Sequence, residues 1–315
     1  MKTLILRRLT GAAIGLFVLT VVTFVMVRLL PGSVEDVLLG TDGATPEVRE
    51  AFRAKYGLDD PAFYQYTKWI WSLLQGDFGT SIRSGNSVSD ELRSKAPASM
   101  IIATLAVVAS FVFSVILGTA AALRRDRLVD RLSTLASIVG SSVPDFVVGL
   151  LLLVTFARRF DFLPTFGYEP ISSGLWEWAR HLLLPVTALS LALVGVMTRL
   201  TRSSVLATLD EDHVRTAVGK GLSRRRILTH HVIKPSLIPV ITTAGLLLVA
   251  VTGGVVVVEY VFAIPGLGRL ILDAINFRDY PMIQGAVLFI GILAIVVSVF
   301  VDLIHSVLDP RVRSD

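Results

Sequence analysis

The chain has no cysteine. Disulfides, thiolate metal sites and cysteine nucleophiles are excluded, and no redox compartment is marked. Charge is also scarce. Asp, Glu, Lys and Arg make up 17% of the 315 residues, against about a quarter in soluble domains. The phosphate-binding loop of ATPases is missing. Lys220 follows Gly219, but Gly221 stands where Ser or Thr is required, and Val214 occupies the position of the first glycine. The chain is therefore expected not to hydrolyse ATP. Neither an H-E-x-x-H nor a G-x-S-x-G pattern occurs. His230 and His231 are adjacent, which denies them a shared helix face, so they read as interfacial histidines. No catalytic residue, metal site or bound cofactor is expected. Ionisable groups deep in apolar segments are few. Asp145 is the main one, and Asp302 lies near a segment end. Proton-coupled carriers place more such groups at mid-bilayer.

Apolar runs fill the space that charge leaves. The chain is 53% hydrophobic with a mean hydropathy of +0.70. Several runs approach or exceed the ~20 residues that cross a bilayer. They predict an all-α membrane protein with six spans: about Leu9–Leu30, Ala98–Leu123, Leu132–Phe156, Leu182–Leu200, Leu237–Val258 and Met282–Val301. The first run exceeds a signal-peptide core and ends without a small-x-small cleavage site, so it reads as a retained helix. Arg28 near its end can snorkel to the interface. Trp176 and Trp178 fall in the loop before the fourth span, which carries Pro185 near its start.

Residues 31–97 form a polar insert. It has a turn-rich stretch at 39–43 and an amphipathic piece, Pro46–Tyr56. Its aromatics Tyr64, Tyr66, Trp69 and Trp71 suit an interface. The chain thus divides into a tail and first span (1–30), the insert (31–97), a five-helix core (98–308) and a tail (309–315). Lys and Arg concentrate at the N-terminus, the Arg124–Arg131 loop, the Thr201–Lys234 loop and the C-terminal tail. The insert balances its cations with acids. By the positive-inside rule both termini are cytoplasmic. The net charge of +5 then belongs to a membrane face, not to a nucleic-acid site.

The Thr201–Lys234 loop has helical logic at about 210–221. Asp210 and Asp212 suit a helix start. Val214, Ala217 and Val218 recur at i, i+3, i+4 as an apolar stripe. Gly221 suits a C-terminal stop, and Ser223 can cap the basic helix that follows. Such a short amphipathic helix lies on anionic lipid or docks in a partner's groove. These principles do not choose between the two.

The run Asp212-His213-Val214-Arg215-Thr216-Ala217-x-x-Lys220-Gly221-Leu222 resembles the coupling motif of binding-protein-dependent ABC permeases. Arg215-Thr216-Ala217 departs from the general E-A-A form and is similar to the dipeptide/oligopeptide branch. His231-x-Ile233-Lys234-Pro235-x-Leu237-Ile238-Pro239 resembles the same branch. So do, in order, Leu29-Leu30-Pro31-Gly32, Tyr56-Gly57-Leu58-Asp59-Asp60-Pro61, Gly76-Asp77-Phe78-Gly79-x-Ser81 and Val143-Pro144-x-Phe146-x-x-Gly149. Glu259-x-x-Phe262-x-Ile264-Pro265-Gly266-Leu267-Gly268, Arg278-Asp279-Tyr280-Pro281 and Asp309-Pro310-Arg311 complete the series. Together they are similar to the first of the two permease subunits of bacterial dipeptide/oligopeptide importers.

The resemblance implies a type I ABC importer permease fold in a bacterial plasma membrane. It implies a sister permease, two ATPase subunits that hold ATP and Mg, and an extracytoplasmic peptide-binding protein. The helix bearing Asp210, Asp212, Val214, Arg215, Thr216, Ala217, Lys220 and Gly221 would couple to an ATPase. The insert would form an extracytoplasmic cap, and Glu259, Ile264, Pro265 and Gly266 would belong to a gate. Thr252, Gly253 and Gly254 line a pathway or permit tight helix packing. Pro144 and Asp145 make a kink with a polar group, either gating or structural. The alternatives are an ion-coupled secondary transporter, an intramembrane enzyme and a membrane scaffold. The motif order favours the importer.

Overall fold

The computed structural model describes residues 2–29, 34–39, 45–157 and 163–308. The expectations for Leu30-Pro31-Gly32, residues 40–43 and Asp309-Pro310-Arg311 lie outside the described residues. In chain order the helices are α1 (Lys2–Leu29), α2 (Val34–Leu39), α3 (Pro46–Tyr56), α4 (Ala62–Leu74) and α5 (Val88–Leu123). Then come α6 (Leu128–Ser142), α7 (Asp145–Ala157), α8 (Leu175–Leu209), α9 (Asp212–Gly219) and α10 (Arg224–Arg226). A π-helical stretch, Ile227–Ile233, leads into α11 (Lys234–Gly254), α12 (Val256–Val261), α13 (Leu267–Asn276) and α14 (Tyr280–Leu308). Among the described residues the sole β pairing is one bridge, Thr80 to Ser87.

Among the described residues five helical stretches are long and apolar enough to cross a membrane, and the bent pair α6–α7 makes six if counted as one span. The third span is therefore not the single helix that its apolar run predicts. α6 and α7 meet at 100°. The cause is local. Pro144 disfavours helical backbone at the residue before it, and Val143 is extended (φ −90°, ψ 125°). Other boundaries also shift. α5 begins ten residues before Ala98 and runs through Pro97. Val88, Leu92 and Ala96, spaced i, i+4, i+8, are buried and extend it into the polar segment. Trp176 and Trp178 lie in the first turn of α8, not in a loop.

The chain divides into two compact units. The first is Met1–Pro97 with Gly266–Ile295. Its core joins Val27, Val88, Leu92, Leu267, Met282 and Ile283. A Cβ at Gly285 would stand 2.5 Å from Val88 Cγ1, so the start of α14 lies against α5. Aromatic edges of α1 and α4 also pack: Phe24 meets Tyr66 with ring centroids 5.1 Å apart. The second unit is Ala98–Pro265 with Val296–Asp315. Its centre is α8, packed against α6, α7 and α11. The approach of α8 to α6 is very close. A Cβ on Gly195 would lie 2.5 Å from the Ser137 carbonyl oxygen. Small residues at helix contacts are how membrane helices gain dispersion when lipid offers no hydrophobic contrast.

Candidate functional site

α9 is shorter than the sequence suggests. Asp210 ends α8, where its N–H donates to the Ala207 carbonyl and the Glu211 N–H to the Thr208 carbonyl, so it does not open the short helix. Glu211 holds the N-cap position and makes no side-chain cap bond. Asp212 is the acid of the first turn. Its carboxylate lies 3.6 Å from Arg215, and its carbonyl accepts from the Thr216 hydroxyl at 2.9 Å. The helix closes as a Schellman motif: Leu222 N–H donates to Ala217 O, Gly221 N–H to Val218 O, and Gly221 has φ +72°. Ser223 occupies the N-cap of α10 without a side-chain bond.

Two residues fix α9 to the body. Val214 and Ala217 are buried with Ala122, Val205, Ile227 and Val232. His213 adds a polar tie. Its Nε2 lies 2.8 Å from the His231 carbonyl, and its Nδ1 lies 2.9 Å from the Glu211 carboxylate. Thus one of the paired histidines, through its backbone, holds the short helix to the π-helical stretch. The third member of the expected stripe behaves differently. Val218 is 60% exposed. It edges an open groove of about 560 Å³ with Leu123, Leu209 and Leu222. Arg215, Thr216 and Lys220 are exposed as well. α9 therefore buries one face and offers a mixed basic and apolar face.

The break between α6 and α7 opens a second feature. Ser141 to Asp145 line a cavity of about 420 Å³ with Leu189 and Leu193 of α8 and Leu247 and Val251 of α11. Pro144 is exposed and Asp145 half-buried. The Asp145 carboxylate accepts the Phe146 N–H at 2.8 Å, so it serves the start of α7. Thr252 is buried, and its hydroxyl donates to Leu248 O in its own helix at 2.7 Å. Gly253 and Gly254 close α11, and their surroundings lie outside the description.

Glu259 follows directly on the predicted fifth span, which ends at Val258. It lies in α12 with no exposed surface, and the Ser99 hydroxyl donates to its carboxylate at 2.5 Å. The turn after it is another Schellman motif: Ile264 N–H reaches Glu259 O, and Ala263 N–H reaches Tyr260 O. The left-handed residue is Ala263 (φ 54°), not Gly266, whose φ is −106°. Ile264 is buried and Pro265 exposed. The following stretch is helical (α13) rather than a plain connector, and it ends on a second non-glycine at positive φ, Arg278 (φ 52°). Two such positions around one segment are a local concentration of backbone strain.

Motifs distant in sequence meet within each unit. In the second, Gly149 lies beneath Phe262, where a Cβ would come 3.1 Å from the ring. In the first, Asp279 accepts the Ser81 hydroxyl at 2.5 Å and the Ile82 N–H at 3.1 Å. It also faces Met282 N–H at 3.4 Å, at the start of α14. Arg83 stacks over Phe277 with its guanidinium carbon 3.4 Å from the ring centroid. In the insert, the Asp59 carboxylate beside Arg53 raises that guanidinium above its ordinary value.

Sequence reasoning missed one clamp. Arg202 on α8 grips Asp130 on α6 at 2.5 and 2.8 Å, and the Asp126 N–H adds a third bond at 3.0 Å. In the sequence Arg202 is one cation of the basic Thr201–Lys234 stretch that indicates membrane orientation. Two acids, Asp126 and Asp130, in an arginine-rich loop were the available signal.

A family model described as "Binding-protein-dependent transport system inner membrane component" matches residues 114–314. A second, for the N-terminal part of such membrane components, matches residues 1–104. A Brucella abortus protein named for a peptide transport system permease is 36% identical, with all of both chains covered. The dipeptide transport system permease of Bacillus subtilis is 35% identical over 99% of this chain and 98% of its own. The glutathione transport system permease of Escherichia coli K12 is 36% identical over 99% of each.

Proposed function

The chain belongs to the binding-protein-dependent transport system inner membrane component family, a multi-pass permease of the bacterial inner membrane, and we propose that its cargo is di- or oligopeptides. The relatives named for peptide, dipeptide and glutathione transport support that substrate class. A sister permease completes the path, an extracytoplasmic binding protein delivers the peptide, and two ATPase subunits bind ATP and Mg. Both termini face the cytoplasm by the distribution of Lys and Arg.

The observation that carries the mechanism is the anchoring of α9. A helix that transmits force must be held on one side and free on the other. Val214 and Ala217 hold it to the body, while Arg215, Thr216, Val218 and Lys220 are left outward. In this reading an ATPase groove takes the outward face. Closure of the ATPases then displaces α9. Its clamp to α8 and to the Arg224–Gly254 run passes the movement to the spans. The cavity at the α6–α7 break, with Pro144 and Asp145, is assigned to the peptide path. Glu259 and the turn at Ala263 to Gly266 are assigned to a gate.

The test is purification of the assembled complex in mild detergent and reconstitution in liposomes with the binding protein. Recovery of a sister permease and two ATPases, with ATP hydrolysis stimulated by peptide-loaded binding protein, is expected. Repeated purification without any ATPase, with uptake driven by an ion gradient instead, would replace this reading with the secondary-transporter one.

A further inference from the structure

Helix α4 belongs to the insert that was read as an extracytoplasmic cap, yet its contacts place it at membrane depth. Gln65 accepts a hydrogen bond from Arg28, near the end of the apolar stretch Thr10–Leu29 of α1. One residue on, the Tyr66 hydroxyl pairs with Thr20 at 3.0 Å. Farther along, Ile70 and Leu73 share a groove of about 410 Å³ with Leu16 and Phe17. α4 therefore runs antiparallel to α1 and descends beside it. Leu16 lies thirteen residues before Leu29, or roughly 20 Å along a helix rising 1.5 Å per residue. The opposite wall agrees. Leu288 and Ile292 of α14 line the same groove, eight and twelve residues past Tyr280, or about 12 and 18 Å.

The face that α4 turns away from its neighbours is apolar. Phe63, Tyr64, Trp71 and Leu74 are 55–79% exposed. They cover one arc of the helix, continuous with exposed Ile14 and Phe17 on α1. Thr67 lies on the same arc with its hydroxyl donating to the Tyr64 carbonyl at 3.0 Å, and the other polar groups of α4 point elsewhere. Gln65, Lys68 and Ser72 line a separate cavity of about 330 Å³ with Arg28 and Asp77. At 13 residues, about 20 Å, α4 is too short to cross a core of about 30 Å. Its end is finished as lipid requires. Gly76 (φ +80°) closes a Schellman motif in which the Ser72 and Leu73 carbonyls accept N–H groups of Asp77 and Gly76. The chain then returns along the polar cavity, where irregular backbone at depth is tolerated.

We propose that α4 is a re-entrant helix, inserted into the membrane leaflet on the insert's side, and that lipid acyl chains are the partner of its exposed face. The insert is then anchored in lipid rather than suspended in water. This inference needs α1 and α14 to cross the bilayer, and it is independent of the peptide cargo.

The lack of cysteine allows a direct test in the assembled transporter in liposomes. Single cysteines at Phe63, Thr67, Trp71 and Leu74, with Glu50 of α3 as the exposed control, carry a nitroxide. Collision with oxygen is compared with collision with a water-soluble nickel chelate. The oxygen-to-nickel ratio should be lowest at Glu50 and severalfold higher at Leu74, rising from 63 to 74. Nickel access at Leu74 equal to that at Glu50 would put α4 in water. Shielding of 71 and 74 from both reagents would put a protein partner on this face, and either result overturns the proposal. A second measurement guards against damaged variants. Quenching of tryptophan fluorescence by lipids brominated in their acyl chains should fall in Trp71→Phe, and equal quenching in the two proteins refutes acyl-chain contact.

Discussion

Gly221 ends α9 at φ +72°, and a Cβ built there meets nothing within 4 Å. Gly221 reads in the sequence as a helix stop, where the bulk of a side chain is the first penalty to consider. The structure relocates the penalty. There is room for a side chain, so the cost lies in the backbone. A left-handed L-residue costs roughly 1–2 kcal/mol, least for Asn, which tolerates that region, and most for a β-branched residue. A change of 1–2 kcal/mol shifts a local equilibrium by about 5- to 30-fold. The affected equilibrium is the Schellman closure that turns the chain from α9 into α10. We therefore expect peptide-stimulated ATP hydrolysis and uptake to fall in the order Gly, Asn, Ala, Val, with membrane insertion equal in all four. The assay is reconstituted transport with matched protein levels. A series ordered by volume, with Gly221→Ala milder than Gly221→Asn, would refute the backbone argument. A flat series would detach this turn from coupling altogether.

Three other outcomes follow from geometry. Gly195→Ala sets a methyl 2.5 Å from the Ser137 carbonyl oxygen and 3.2 Å from the Ser141 nitrogen. Backbone atoms cannot rotate away, so α6 and α8 must separate, at about 1–3 kcal/mol, read as a lower Tm in detergent; an unchanged Tm would mean this contact is not tight. Ser81→Ala removes one donor from buried Asp279, a cost of about 1–3 kcal/mol. Trypsin should then cut faster after Arg83, whereas unchanged cutting would show that the Ile82 and Met282 N–H groups suffice. Ala263→Gly relieves a positive φ of 54° and should raise stability by about 1 kcal/mol; lower stability would show that the Ala263 methyl contributes packing that outweighs the strain.

The sequence by itself determined what depends on composition and short-range order. Apolar length gave the spans, because crossing a bilayer needs a fixed number of residues. The basic stretches predicted orientation. The motif series pointed to the permease family, which comparison over the whole chain then showed. The stop of α9 at Gly221 was legible, since glycine adopts positive φ without strain.

Tertiary structure decided what depends on partners far along the chain. Asp210 and Asp212 look equivalent in sequence, yet one ends α8 and the other begins α9. Val214 and Val218 share a face by periodicity, but the groups from Ala122, Ile227 and Val232 cover only the first. Glu259 reads as a polar loop residue until α12 continues through it and the Ser99 hydroxyl, 160 positions away, donates to it. Ala263 carries no signal for the left-handed turn it makes, because alanine does not prefer that backbone and only the surrounding fold can impose it. The depth of α4 is the largest such case. Its 13 residues cannot report a membrane by length, and its placement comes from Thr20, Phe24 and Leu16 on a helix some fifty residues earlier. Periodicity states which residues share a face, but only the packed chain supplies what that face meets.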